Sequence, residues 1–139
     1  MSPPREVFIS HATENGDFAE WIADVLERHG ISAWLAHRHI LGAGQWQDEI
    51  GAALRRCDWF LLLLSPHAVE SVWVRRELQY ALCHDRFDRR LTPVLLETCE
   101  TEDLSWVLPS IQTVETDGPF EALAEKILAV WDIAFDPNG

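Results

Sequence analysis

The sequence predicts an α/β fold: a five-stranded parallel sheet flanked by helices on both faces. Two observations carry this. Short apolar runs alternate along the chain with stretches whose apolar residues recur at helical spacing, the signature of strand–helix repeats. The middle run, WFLLLL at Trp59 to Leu64, is apolar at every position, as a strand covered on both faces must be.

The elements follow in order. Val7 to Ser10 (VFIS) reads as a buried strand, and the polar stretch HATENG after it as a loop. From Asp17, the positions Phe18, Trp21, Ile22, Val25 and Leu26 lie on one helical face, and Gly30 is the expected stop. Ile31 to Leu35 is a second strand. The loop HRHILGAGQ then leads to a helix from about Trp46 that turns Ile50, Ala53, Leu54 and Cys57 inward. Trp59 to Leu64 is the central strand, and a helix runs from Val72 to about His84. Leu91 to Leu96 (LTPVLL) is a fourth strand, where Pro93 argues for an edge or a bulge. Ile111 to Val114 is expected as a short fifth strand. Phe120, Leu123, Ile127, Leu128 and Trp131 mark a last amphipathic helix, and FDPNG reads as a tail or linker. The domain is thus expected over residues 7–134, between tails at 1–6 and 135–139.

The chain has 139 residues, enough for one domain with a substantial core. With 23 acidic and 11 basic residues its formal charge is −12, so its long-range field repels phosphate backbones and anionic membranes; neither nucleic acid nor a membrane is an expected partner. All the basic residues but Lys126 are arginines, a composition pointing to a GC-rich, bacterial genome. Three cysteines without CxxC spacing indicate neither a disulfide framework nor a zinc site, and fit reduced, buried thiols in a cytoplasmic protein. The N-terminus has no apolar signal segment, and no apolar run approaches the ~20 residues that span a bilayer.

In a sheet of this kind ligands lie outside the carboxyl ends of the strands, here Ser10-His11, HRHILGAGQ and Ser65-Pro66. The flavodoxin-like layout also occurs in phosphate-accepting receiver domains, but those need aspartates at these ends to hold Mg²⁺. LGAGQW lacks the third glycine of a dinucleotide loop and the Lys of a phosphate loop. His37 and His39 have no further ligand at matching spacing, so no metal is assigned, and neither Ser10 nor Ser65 sits in a GxSxG elbow. The segment SVWVRRELQ says more. On its helix Val74, Leu78, Ala81 and Leu82 face the sheet, while Trp73, Glu77, Tyr80 and His84 form a second stripe alongside. Two readings fit: a boundary Trp beside an exposed Glu77 paired with Arg75 or Arg76, or a carboxylate desolvated by an aromatic wall.

VFISHA, LGAGQW, LLLLSPHAV and SVWVRREL, in this order from Val7 to about Trp131, together resemble the TIR (Toll/interleukin-1 receptor) domain family. The resemblance implies the flavodoxin-like TIR fold with its five-stranded parallel sheet. It also implies one of two functions, scaffolding by homotypic assembly or cleavage of the nicotinamide–ribose bond of NAD⁺. For the enzymatic kind, Glu77 matches the catalytic glutamate, Trp73 an aromatic residue accompanying it, and Trp46 the bulky residue ending the glycine loop. Ser10 and His11 stand where the loop after the first strand meets the nucleotide. The chain departs from the pattern in two places: Ala36-His37 replaces an acidic residue after the second strand, and Ala12 and Thr13 stand where some relatives have arginines. Diphosphate binding then falls to other donors, such as backbone N–H groups or His11.

One carboxylate suffices for this chemistry. A glycosidase needs a second carboxyl group to protonate its leaving oxygen, whereas nicotinamide departs neutral from an already cationic ring. The expected activity is therefore that of an NAD⁺ hydrolase or cyclase with no separate cofactor, giving nicotinamide plus ADP-ribose or a cyclic isomer. The resemblance further implies activation by TIR–TIR self-association, a fused or separate sensor or effector, and a role in bacterial antiviral defence or signalling. The alternative is a non-catalytic adaptor or effector acting through TIR–TIR contacts.

Overall fold

The computed structural model describes residues 2–35 and 46–138, and of Trp46 the backbone alone. Its strands are β1 (Glu6–Ser10), β2 (Ser32–Trp34), β3 (Trp59–Leu64) and β4 (Leu91–Leu95). Its helices are α1 (Gly16–Arg28), α2 (Trp46–Arg56), α3 (Pro66–Glu70), α4 (Val72–Leu82), α5 (Thr101–Leu104) and α6 (Phe120–Ala129). The strands form one parallel sheet in the order β2-β1-β3-β4, with Val7 opposite Trp59, Ser10 opposite Leu62 and Phe60 opposite Leu91.

Alternation along the strands sorts two cores. Val7 and Ile9 of β1, with Trp59, Leu61 and Leu63 of β3, pack against α1 and α6. Phe8, Phe60, Leu62 and Leu64 pack on the other face against α2 and α4. Every residue of β3 is buried, as the unbroken apolar run requires. Helix α1 buries Phe18, Ile22, Val25 and Leu26 and ends before Gly30, whose φ of 85° is the left-handed conformation glycine adopts without a Cβ penalty. Ile50, Ala53, Leu54 and Cys57 all turn inward from α2, as their spacing predicts.

Three expectations are corrected. The fifth strand is a single bridge: Val114 donates to the Pro93 carbonyl and accepts from Leu95, both at 2.8 Å. Pro93 has no N–H to extend this pairing, and a groove of about 770 Å³ separates Leu91 and Thr92 from residues 111–115. The sheet therefore has four strands among the described residues, with β4 outermost and Pro93 on its edge. Secondly, of the three thiols expected to be buried only Cys57 is; Cys83 is exposed and Cys99 half-buried. The segment after β3 also holds a short helix, α3, which breaks at Ser71 before α4 begins. Ser65 and Ser71 cap the two, accepting from Ala68 N at 3.1 Å and Val74 N at 3.2 Å. Thirdly, Leu82 is exposed rather than facing the sheet, because α4 ends there. After α6, Trp131 is buried edge-on to Trp59 at 5.4 Å. The following segment lies on the end of α1, where Phe135 stacks on His29 and the Asp136 amide donates to His29 Nε2 at 2.9 Å.

No helix among the described residues is long and apolar enough to cross a membrane. Leu62 is wholly buried at the centre of the sheet. Leu62→Ala is expected to cost about 2–5 kcal/mol of folding stability, read from the urea denaturation midpoint, because a rigid β3 cannot collapse into the void.

Candidate active site

The strand order fixes where to look. Chain connections leave β1 toward β2 on one side and reach β3 on the other, so the carboxyl ends of β1 and β3 flank the point where the winding reverses, the place where sheets of this kind form a ligand crevice. Ser10 ends β1 and Ser65 follows β3, and both are completely buried. Alternation sends their side chains to opposite faces. Ser10 shares the face of Phe8 and looks toward α4, while Ser65 continues the alternation of Leu61 and Leu63 toward α1.

Each serine meets one partner. Ser10 Oγ donates to Glu77 Oε1 at 2.7 Å, and Ser65 Oγ donates to Asn15 Oδ1 at 2.6 Å. Glu77 is 7% exposed, on the inner side of α4 beside Val74, Leu78 and Ala81. The expected pairing of Glu77 with Arg75 or Arg76 is absent. Arg75 donates to the carbonyls of Leu104 and Val69, and Arg76 lies over the Trp73 ring at 4.9 Å. Burial pushes the Glu77 carboxyl up from 4.5 to about 7, and the Ser10 hydrogen bond only partly opposes it. Oε2 has no protein hydrogen-bond partner among the described residues. A carboxylate held at one oxygen and open at the other can oppose a cation or accept from a hydroxyl.

The remaining predicted residues divide. Trp73 is half-buried one turn before Glu77. His11 is half-buried beside Ser10, its Nδ1 donating to the Ala12 carbonyl at 2.7 Å. Trp46 opens α2, but its side chain, the glycine loop, His37 and His39 lie outside the described residues. Sequence reasoning did not identify Asn15. It is an ordinary loop residue until β1 and β3 are known to be neighbours, because Ser65 stands fifty positions away in the chain. The loop after β1 is tied to α3 a second time by Glu14 and His67, 3.5 Å apart. Among the described residues, no three His, Cys, Asp or Glu side chains are grouped to hold a metal ion.

Residues 7–128 match the family model of the TIR domain. The chain belongs to the TIR domain family. It is 30% identical over 78 residues to the NAD(+) hydrolase PdTIR of Paracoccus denitrificans, an alignment covering 55% of this chain and 26% of that protein. It is 27% identical over 126 residues to the stimulator of interferon genes protein of Magallana gigas, covering 88% of this chain and 30% of that one. The chain thus spans less than a third of the length of either relative. Among solved structures, the TIR domains of the activated Roq1 resistosome superpose with a TM-score of 0.75 at 15% identity, over 91% of this chain and 98% of that one. The likeness of fold in this TIR domain extends over nearly the whole chain.

The raised Glu77 pKa links the site to stability with a definite sign. A carboxyl that holds its proton more tightly when folded contributes stability fully present below pH 4.5 and lost as pH rises through about 7. Glu77→Gln stays neutral throughout. Relative to wild type, the variant should gain about 2 to 3 kcal/mol between pH 5 and pH 8 in urea unfolding, because wild type alone carries the cost of ionising a buried group. A pH-independent difference between the two proteins would show that Glu77 is not desolvated as described.

Proposed function

We propose that this TIR domain cleaves the nicotinamide–ribose bond of NAD⁺, with Glu77 as the catalytic carboxylate. The observation that carries the reading is the buried Glu77 at the switch point of the sheet, bound through one oxygen to Ser10 and, among the described residues, without a partner at the other oxygen or a cation beside it. Its likeness to a bacterial NAD(+) hydrolase supports the same chemistry.

The bond between the ribose anomeric carbon and the ring nitrogen breaks with its electron pair moving to nitrogen, so nicotinamide leaves neutral and the sugar becomes an oxocarbenium ion. The ionised Glu77 opposes that growing positive charge and accepts from a ribose hydroxyl through Oε2. This is preorganised electrostatic stabilisation, with the carboxylate already desolvated before reaction. Water adds to the cation and releases a proton to give ADP-ribose; an adenine nitrogen adding instead gives a cyclic isomer. Trp73, one turn before Glu77, supplies an aromatic ring for stacking on nicotinamide. Trp46 and His11 complete the substrate contacts, and self-association of TIR domains raises activity by bringing a neighbouring loop to the site.

The test is chromatography of nicotinamide, ADP-ribose and cyclic products after incubating concentrated protein with NAD⁺. Glu77→Ala is expected to lower nicotinamide release at least about 10²-fold with the fold retained. Absence of release from self-associated wild type would leave the adaptor reading standing.

The pH profile follows from the carboxylate. Because the ionised form acts, kcat/KM should rise with pH through about 7. Ser10→Ala removes the hydrogen bond that favours the charged form, so its midpoint should move to higher pH. A midpoint unchanged in Ser10→Ala would mean that Glu77 does not set the profile.

A further inference from the structure

We infer that Asn15 is a substrate-binding residue whose side-chain amide, aimed by Ser65, donates hydrogen bonds to the diphosphate of the dinucleotide; this rests on the NAD⁺ reading above. Asn15 occupies the position before α1 where a short polar side chain ordinarily caps the helix, yet it makes no such bond. Its oxygen is taken by Ser65 instead. The Ser65 oxygen already accepts from the Ala68 amide, so its single hydroxyl proton goes to Asn15 Oδ1. Ser65 is wholly buried, which makes that proton costly to leave without an acceptor and fixes which way the amide points.

With Oδ1 held toward Ser65, the NH₂ group is turned away from it, carrying two N–H donors with no described protein acceptor on a half-buried residue. The surroundings call for such donors. Residues 10–17 contain neither Lys nor Arg, and the nearby Glu14 faces His67. A diphosphate lying over this loop must be met by neutral N–H groups. The spacing fits as well. Ser10 and Ser65 lie on adjacent strands and three residues apart in register, which places them roughly 11 Å apart. A dinucleotide with its anomeric carbon at Glu77 would run across the crevice and bring its phosphates toward Asn15.

The inference is tested by calorimetric titration of wild type, Asn15→Ala and Asn15→Asp with two unreactive probes. ADP-ribose carries the diphosphate without nicotinamide, and a non-hydrolysable nicotinamide riboside analogue carries the reverse. Asn15→Asp keeps an acceptor for Ser65 and so preserves the local fold, whereas Asn15→Ala removes the donors without adding charge. Both variants are expected to weaken ADP-ribose about ten- to a hundredfold, the range for losing a hydrogen bond to a charged group, while the riboside analogue changes less than twofold. Unchanged ADP-ribose affinity in Asn15→Ala, an equal loss for the riboside analogue, or no binding of ADP-ribose by wild type would overturn it. If wild type releases no nicotinamide yet binds ADP-ribose in an Asn15-dependent way, the cleavage reading fails and the role of Asn15 stands.

Discussion

The pairing of β1 with β3 is the constraint on which the rest of this TIR domain depends. Six consecutive apolar residues leave β3 no face that water can cover, so it must lie inside the sheet with helices on both sides. Placing β1 beside it makes the chain wind in opposite senses about the junction. The same pairing that buries Phe60 against Phe8 at 5.4 Å therefore sets the ligand crevice of such sheets at the other end of the two strands.

Stability and reactivity meet at Ser10. A wholly buried hydroxyl at the end of β1 needs a partner, and Glu77 supplies one; the same bond is the one described restraint on a carboxylate that otherwise has no reason to stay ionised. An arginine beside Glu77 would stabilise the charge and make the domain more robust, but it would also spend the carboxylate on a resident cation. The arginines that flank it along the helix are instead engaged with carbonyl oxygens and an aromatic ring. The groove at the opposite end of the sheet, beside Trp59 and Leu91, has a volume of about 770 Å³, but the one described carboxylate lining it, Glu115, is exposed.

The loop after β1 shows how a polar stretch is given a fixed shape. HATENG contains no apolar anchor except Ala12, which is buried. Its conformation is set by a 3-10 turn at Thr13–Asn15, where the Asn15 amide donates to the Ala12 carbonyl at 2.9 Å, and by links to α3, Asn15 with Ser65 and Glu14 with His67, so the loop is held both from within and from across the sheet. The short helix α3 exists in turn because Ser65 caps it and Pro66 occupies its first turn, where a missing N–H costs nothing.

The sequence by itself determined what depends on local pattern. The strand–helix alternation, the buried β3, the Gly30 stop and the inward face of α2 all follow from spacing between near neighbours, as does the placing of Trp73 and Glu77 on adjacent turns of one helix. The tertiary structure decided what depends on residues distant in the chain. Whether Glu77 is exposed and ion-paired or buried against Ser10 turns on how α4 sits over the end of β1, sixty-seven residues away. The pairing of Asn15 with Ser65 needs the strand order, which periodicity does not contain. The fifth strand failed for a related reason: Ile111 to Val114 has the composition of a strand, but pairing also needs an edge with donors to offer, and Pro93 withholds one.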